Sequence, residues 1–316
     1  MVLTESEKSR LDDAARAGWL YFIAGHTQDE IAKMLQVSRA SAQRLVSLCL
    51  AERLITFRLE HPIAACMELA SRLKARFDLV HCEVVPTDPA APLATAGIAE
   101  RCANVLETTL RSETPVIVAL GTGRAVRAAV ERVSPIERPN HQIVSLVGNI
   151  SADGSASFFD TVGRLADRTG ARHYPMPLPF LMSSEDERNR MVRIDPIAKV
   201  KAVAAKADLR LIGIGQMDQK AQVYVDGFVT REELFELMRL GAVGEITGWA
   251  YDAKGGLIKG GTNRRLTSIP PQTPAKATTI AAAVGQAKLP AIKAALAGRL
   301  INGLITDEAT ARGILA

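Results

Sequence analysis

QDEIAKMLQVSRASAQRLVS, residues 28 to 47, decides how the chain begins, because its apolar residues fall where two helices crossing at a tight turn need them. Ile31, Leu35, Val37 and Leu45 supply a mutual core, and Ala32 is small enough for a second helix to approach closely. The spacing predicts a helix-turn-helix, with the turn at Gln36 to Ser38 and Ser38 as N-cap of a helix beginning near Arg39. Outward positions of that helix, Arg39, Ala40, Ser41, Gln43 and Arg44, carry guanidinium, hydroxyl, carboxamide and methyl groups that can meet base edges and phosphates in a major groove. A plain helical hairpin with a small residue at its crossing gives the same spacing. Gln36 and Ala42 stand where such motifs often carry glycine and a larger aliphatic.

Upstream, residues 7 to about 24 carry apolar side chains at helical spacing, with Gly25 suited to the stop. Thr27, with Glu30 three residues on, forms a capping box for the next helix. Downstream, AERLITFR, Ala51 to Arg58, ends the third helix and runs into a short strand like a small wing. We therefore expect a winged-helix-like domain over residues 1 to 58 and a hinge at 59 to 63 containing Glu60, His61 and Pro62. Residues 1 to 57 hold seven basic and seven acidic residues, net zero, yet Lys33 to Arg58 holds five basic residues against Glu52 alone, net +4. A neutral domain with one basic face suits site-specific DNA binding better than indiscriminate coating.

The whole chain has 316 residues, 47% of them hydrophobic, which allows a small domain plus a larger one with a sizeable core. No run approaches the roughly 20 apolar residues of a membrane span, and the polar start, MVLTESEKSRLDD, lacks a secretory signal, so a soluble cytoplasmic protein is expected. Cys49, Cys66, Cys82 and Cys102 are scattered without C-x-x-C spacing, which points to buried reduced thiols rather than a zinc site or disulfides. No metal, cofactor or catalytic constellation is indicated, and the five histidines form no local signature with Ser or Cys.

Beyond the hinge, short apolar runs alternate with helical segments. Pro115 to Leu120, Gln142 to Val147, Asp208 to Ile214 and Thr278 to Val284 read as strands of a parallel sheet covered on both faces. Residues 64 to 316 are thus expected to form one doubly wound α/β domain. The first of these strands runs into Gly121-Thr122-Gly123-Arg124, where glycines permit close backbone approach and Thr122 and Arg124 add donors for an anion. The loop lacks the third glycine of a dinucleotide fingerprint and the lysine of a P-loop. A second strand-to-helix junction, from Ala283 through Gly285 to Lys288, places an ammonium where it could reach over the same sheet edge. Asp218, Asp252, Asp307 and Glu245 lie in or beside turns, and Trp249 and Tyr251 read as core or pocket wall.

GHTQDEIA at 25 to 32, the loop at 121 to 124, GAVGEITGWAYDAKGG at 241 to 256 and GQAKLPAIKAALAGRLINGLITDEATARGIL at 285 to 315 occur together and in order. On these segments the chain resembles the SorC family of bacterial sugar-responsive transcription regulators. The resemblance implies a helix-turn-helix domain, an effector domain like the glucosamine-phosphate deaminase and ribose-phosphate isomerase fold, and a homo-oligomer, dimer or tetramer. Its partners would be operator DNA and a sugar phosphate or polyol effector. Carried onto this sequence, Gln28, Ser38, Arg39, Ser41, Gln43 and Arg44 would meet DNA. Gly121, Thr122, Gly123, Arg124, Asn149, Gly285 and Lys288 would surround the effector, with Glu245 and Asp307 receiving hydroxyls. Ala125 replaces a hydroxyl residue frequent in the family, and Val284 precedes a single Gly285 where the family pairs glycines, so an unphosphorylated sugar alcohol stays open. The rival is a sugar-phosphate isomerase or deaminase with a helical extension, since that fold is shared with such enzymes.

Overall fold

A computed structural model describes residues 5–52, 54–55, 63–91, 93, 95–150, 154–155 and 160–316. Two compact units divide the chain, residues 1–62 and 63–316. The first holds three helices, α1 (Glu5–Phe22), α2 (Gln28–Met34) and α3 (Arg39–Ala51). Thr27 caps α2 as the sequence predicts: its hydroxyl accepts the Glu30 N–H at 3.3 Å while the Glu30 carboxylate accepts the Thr27 N–H at 2.8 Å. Ser38 caps α3 by accepting the Ser41 N–H at 3.1 Å. Between them Gln36 takes a left-handed φ of 54°, the bend that glycine would make without cost. Ile31, Ala32, Ala42 and Val46 are buried, with Leu35, Val37 and Leu45 packed against them. The wing strand expected past Ala51 and the hinge at Glu60 to Pro62 fall largely outside the described residues.

In the second unit, α4 (Ala64–Phe77), β1 (His81–Val85), α5 (Ala96–Leu110), β2 (Ile117–Leu120), α6 (Arg124–Val130), β3 (Gln142–Ile150), α7 (Thr161–Thr169) and β4 (Arg172–Pro179) come first. After two further helices, α8 (Glu185–Met191) and α9 (Asp195–Ala205), β5 (Leu209–Gly213) leads into the short β6 (Gly215–Gln216). Helices α10 (Gln222–Val225) and α11 (Arg231–Arg239) precede a hairpin of β7 (Gly244–Ile246) and β8 (Trp249–Tyr251). The chain closes with β9 (Thr278–Ala282), α12 (Leu289–Ala297), β10 (Gly303–Asp307) and α13 (Glu308–Leu315).

Seven strands form one parallel sheet in the order β1-β10-β9-β5-β2-β3-β4, and β6-β7-β8 form a small antiparallel sheet beside it. Alternation along each strand sends neighbours to opposite faces. Ala119, Val144, Ile212, Ala281 and Leu304 join a core with α4, α9, α12 and α13, whereas Val118, Leu120, Leu211, Ile280 and Ile305 join one with α5, α6 and α7. All four strands predicted from apolar runs are present. Three were not foreseen: the half-exposed edge strand β1, the edge strand β4 with its three prolines, and the five-residue β10. Trp249 and Tyr251 are core, the indole N–H donating to Ser268 O at 3.1 Å and the phenol to Ala291 O at 3.0 Å. Cys49, Cys66 and Cys102 are buried thiols as expected, but Cys82, on the edge strand β1, is only partly covered.

One close approach fixes the first unit. A Cβ on Gly18 of α1 would lie 2.1 Å from Cys49 Sγ of α3, so the helices cross with only hydrogen between them. Gly18→Ala should therefore destabilise the N-terminal unit by about 1 to 3 kcal/mol through overpacking. Hydrogen exchange of α1 and α3 amides should accelerate, while that of the seven-stranded sheet stays unchanged.

Candidate effector cleft and DNA-reading helix

Because β5 pairs in parallel with β2 on one side and β9 on the other, the chain segments leaving these three strands emerge side by side at the carboxyl edge. They line a cleft of about 550 Å³. Thr122, Gly123, Arg124, Glu245, Gly285 and Lys288, six of the positions the sequence singled out, share this lining. Gly123 and Gly285 open the two helical junctions with φ of +109° and +112°, a region costly for any other residue. The Gly285 N–H donates to Thr310 Oγ1 at 2.9 Å, which ties that junction to α13.

Charge in the cleft is arranged in opposition. Burial pushes the Lys288 ammonium below its usual pKa and nearby Arg124 adds to this, while Glu245 works the other way. Burial pushes the Glu245 carboxyl up, against the Gly248 N–H that it accepts at 2.7 Å. A poorly solvated cation beside donors is a receiver for an anion, and a carboxylate lining the same cleft is a receiver for hydroxyls. Arg124 is engaged with the chain itself, its guanidinium meeting Asp226 at 2.7 and 3.2 Å and also Gln222.

Three expected effector residues stand elsewhere. Gly121 is buried beneath its loop, where a Cβ would press on Ile212 at 3.3 Å and on Thr247 Cγ2 at 3.4 Å; its missing side chain makes room for protein packing, not for a guest. Asn149 lies with Gly121, Thr122 and Asp160 in a separate depression of about 20 Å³. Asp307 is 5% exposed and outside the cleft lining, because its carboxylate is used locally. One oxygen caps α13 by accepting the Thr310 N–H at 3.1 Å, and the other accepts from Thr87 Oγ1 at 2.5 Å. Asp218 and Asp252 hold turns, each accepting a backbone N–H two residues ahead.

Sequence reasoning passed over Gly215, Gln216, Gln222, Asp226 and Thr247, which also line the cleft. Gly213-Ile214-Gly215 follows an apolar strand just as Gly121-Thr122-Gly123 does, and that repeated signal could have found the first of them. A Cβ on Gly215 would lie 2.1 Å from Glu245 Oε1, so the carboxylate occupies the space a side chain would take. Buried polar atoms lacking a hydrogen-bond partner include Thr122 Oγ1 and Gln216 Oε1 on the cleft and Asn149 Oδ1 next to it.

In the other unit, Arg39, Ala40, Gln43 and Arg44 of α3 are exposed, and Ser41 and Gln28 are partly so. Ser38 and Ser41 share a 3.0 Å hydroxyl contact, Arg44 donates to Ser41 Oγ at 3.1 Å, and Arg39 pairs with Asp29 at 3.3 Å. Both side chains of that pair are well exposed, so the pairing is weak and easily exchanged.

Residues 61–316 match the model of the Sugar-bind family, described as "putative sugar-binding domain". The erythritol catabolism regulatory protein EryD of Brucella abortus is 30% identical over 302 residues, covering 96% of each chain. The chain belongs to the SorC family of sugar-binding transcriptional regulators. The transcriptional regulator LsrR of Escherichia coli K12 is 29% identical over 325 residues, covering 99% of this chain and 97% of its own. Full-length sorbitol operon regulator SorC from Klebsiella pneumoniae superposes with a TM-score of 0.73 over 96% of this chain and 98% of its own, at 24% identity, a likeness of fold. Membership makes this SorC-family chain a DNA-binding transcriptional regulator with a sugar-binding domain. Among the described residues no helix is long and apolar enough to cross a membrane.

The raised carboxyl of Glu245 has a measurable sign. Folded chains keep that proton at pH values where an unfolded chain, with its usual 4.5, has lost it. The associated stability is therefore complete below pH 4.5 and declines as pH rises through the higher folded value. Glu245→Gln should remove this decline, so thermal unfolding at pH 5 and pH 8 should differ less in the variant than in the wild type.

Proposed function

We propose that this chain reads operator DNA with the exposed start of α3 and holds a phosphorylated sugar or sugar alcohol in the cleft. The anion would rest among Thr122, Gly123 and Lys288, with Arg124 released from Asp226 to join it, while Glu245 takes hydroxyls. The observation carrying this reading is that Thr122 and Lys288, 166 positions apart in the sequence, line one cleft that the Glu245 carboxyl also lines. EryD and SorC, named for erythritol and sorbitol, favour a small polyol or its phosphate as the guest. Regulation needs only that the effector prefer one of two states of the molecule, with couplings of about 1 to 3 kcal/mol. We read the chain as a cytoplasmic homo-oligomer, a dimer or tetramer, that binds its sugar without turning it over.

Arg39→Ala should weaken operator binding and lower the salt slope by about one, while effector-induced stabilisation persists. Lys288→Ala should do the reverse, abolishing most of the rise in melting temperature given by erythritol 4-phosphate and leaving DNA affinity of the free protein nearly unchanged. A screen of tetritols, hexitols and their phosphates by melting shift checks both. Equal midpoints in wild type and Lys288→Ala would remove Lys288 from the site. Steady product formation from sugar phosphates would replace the regulator reading with an enzyme.

A further inference from the structure

Among the described non-glycine residues four have a left-handed φ: Gln36, Asp78, Thr247 and Arg299. Gln36 sits in the turn before α3, Asp78 caps α4, and Arg299 follows α12, all at exposed helix ends where such backbone is common. Thr247 differs on every count. It is 7% exposed, β-branched, and lines the effector cleft. With Gly248 it makes the two-residue loop of the β7–β8 hairpin, and φ of 52° and 87° give the two positive values a type I′ turn requires. Asparagine, aspartate or glycine would hold the first of these positions readily, whereas a branched Cβ crowds its own backbone there.

Strain of this kind persists where the surroundings hold it and often marks a functional site. Two contacts show what the side chain does. Its hydroxyl is spent on backbone, donating to Ile246 O at 2.7 Å, so it does not reach out for a ligand. Its γ-methyl, instead, faces Gly121, where a Cβ would stand 3.4 Å away. The same hairpin holds the Glu245 carboxylate through the Gly248 N–H at 2.7 Å. A single strained residue therefore joins the arm bearing the acid to the base of the Gly121–Arg124 loop.

We infer that Thr247 is a positioning residue: its γ-methyl sets the spacing between the Glu245 carboxylate and the Gly121–Arg124 loop, and thereby the length of guest the cleft accepts. This rests on the effector reading for its ligand consequence, but the spacing itself can be tested without any ligand. Asparagine at this position relaxes the turn and removes the methyl; valine keeps the branched methyl and removes only the hydroxyl.

The experiment compares Thr247→Asn, Thr247→Gly and Thr247→Val in the full chain. Hydrogen exchange of the peptide spanning Leu120 to Arg127 reads the loop in the free protein, and melting shifts with erythritol 4-phosphate and sorbitol 6-phosphate read the cleft. Thr247→Asn should melt at or above the wild-type temperature, exchange severalfold faster in the loop, and bind the better of the two probes about tenfold more weakly. Loss of affinity with undiminished stability is a combination that simple loss of packing does not produce. Should the asparagine variant fold poorly, Thr247→Gly, which also tolerates the turn, must show the same loop and probe effects. Thr247→Val should match the wild type in both. Unchanged loop exchange in the asparagine and glycine variants overturns the inference, as does a valine variant as impaired as they are. If neither probe shifts the wild type, the phosphorylated-polyol reading fails, and the exchange comparison alone decides the role of Thr247.

Discussion

Parallel registration of β2, β5 and β9 is the constraint on which the effector domain depends. Leu120 lies opposite Leu211, and Gly213 opposite Ala282, so three chain segments far apart in sequence leave the sheet at one level. Apolar residues on both faces enforce that register, because a slip by one residue would turn Leu211 and Ile280 toward the wrong core. Each segment then needs a residue that can depart from a strand without a side chain in the way. Gly123, Gly215 and Gly285 serve in this place: the space beside Gly123 is open, the Glu245 carboxylate fills that beside Gly215, and Leu93 stands 2.9 Å from where a Cβ on Gly285 would be.

Much of this was legible in the residues. Helix caps announce themselves locally, so Thr27, Glu30 and Ser38 were read correctly from spacing alone. Of the five central strands, β10 is a short GLITD whose last two residues are polar, whereas the other four, β2, β3, β5 and β9, announce themselves as apolar runs. Edge strands do not, since they are half wet and tolerate proline, and β1 and β4 escaped for that reason. Pairing of Thr122 with Lys288 was inferable from two similar junctions. Asp307 shows the limit: a carboxylate at the end of a strand can cap the following helix or meet a ligand, and its bond to Thr87, 220 residues away, is not visible in the local sequence. Gly215 and Thr247 were hidden because their importance lies in what they adjoin, Glu245 in one case and Gly121 in the other.

The N-terminal unit follows the same logic on a smaller scale. Its core is built from few side chains, so closeness of the helices matters more than the size of any one residue. Gly18 against Cys49 and the small Ala32 and Ala42 permit that closeness. Arg39, Gln43 and Arg44 of α3 are then left facing water.

The clasp between Arg124 and Asp226 gives the cleft a resident rival for any incoming anion. On the proposed reading, chloride or a simple carboxylate would carry no more charge than Asp226 and would lack the advantage of being tethered. A phosphate monoester, with close to two charges and three acceptor oxygens, would compete with the aspartate on better terms. The threshold of the proposed site would then depend on an internal carboxylate as well as on the donors that line the cleft.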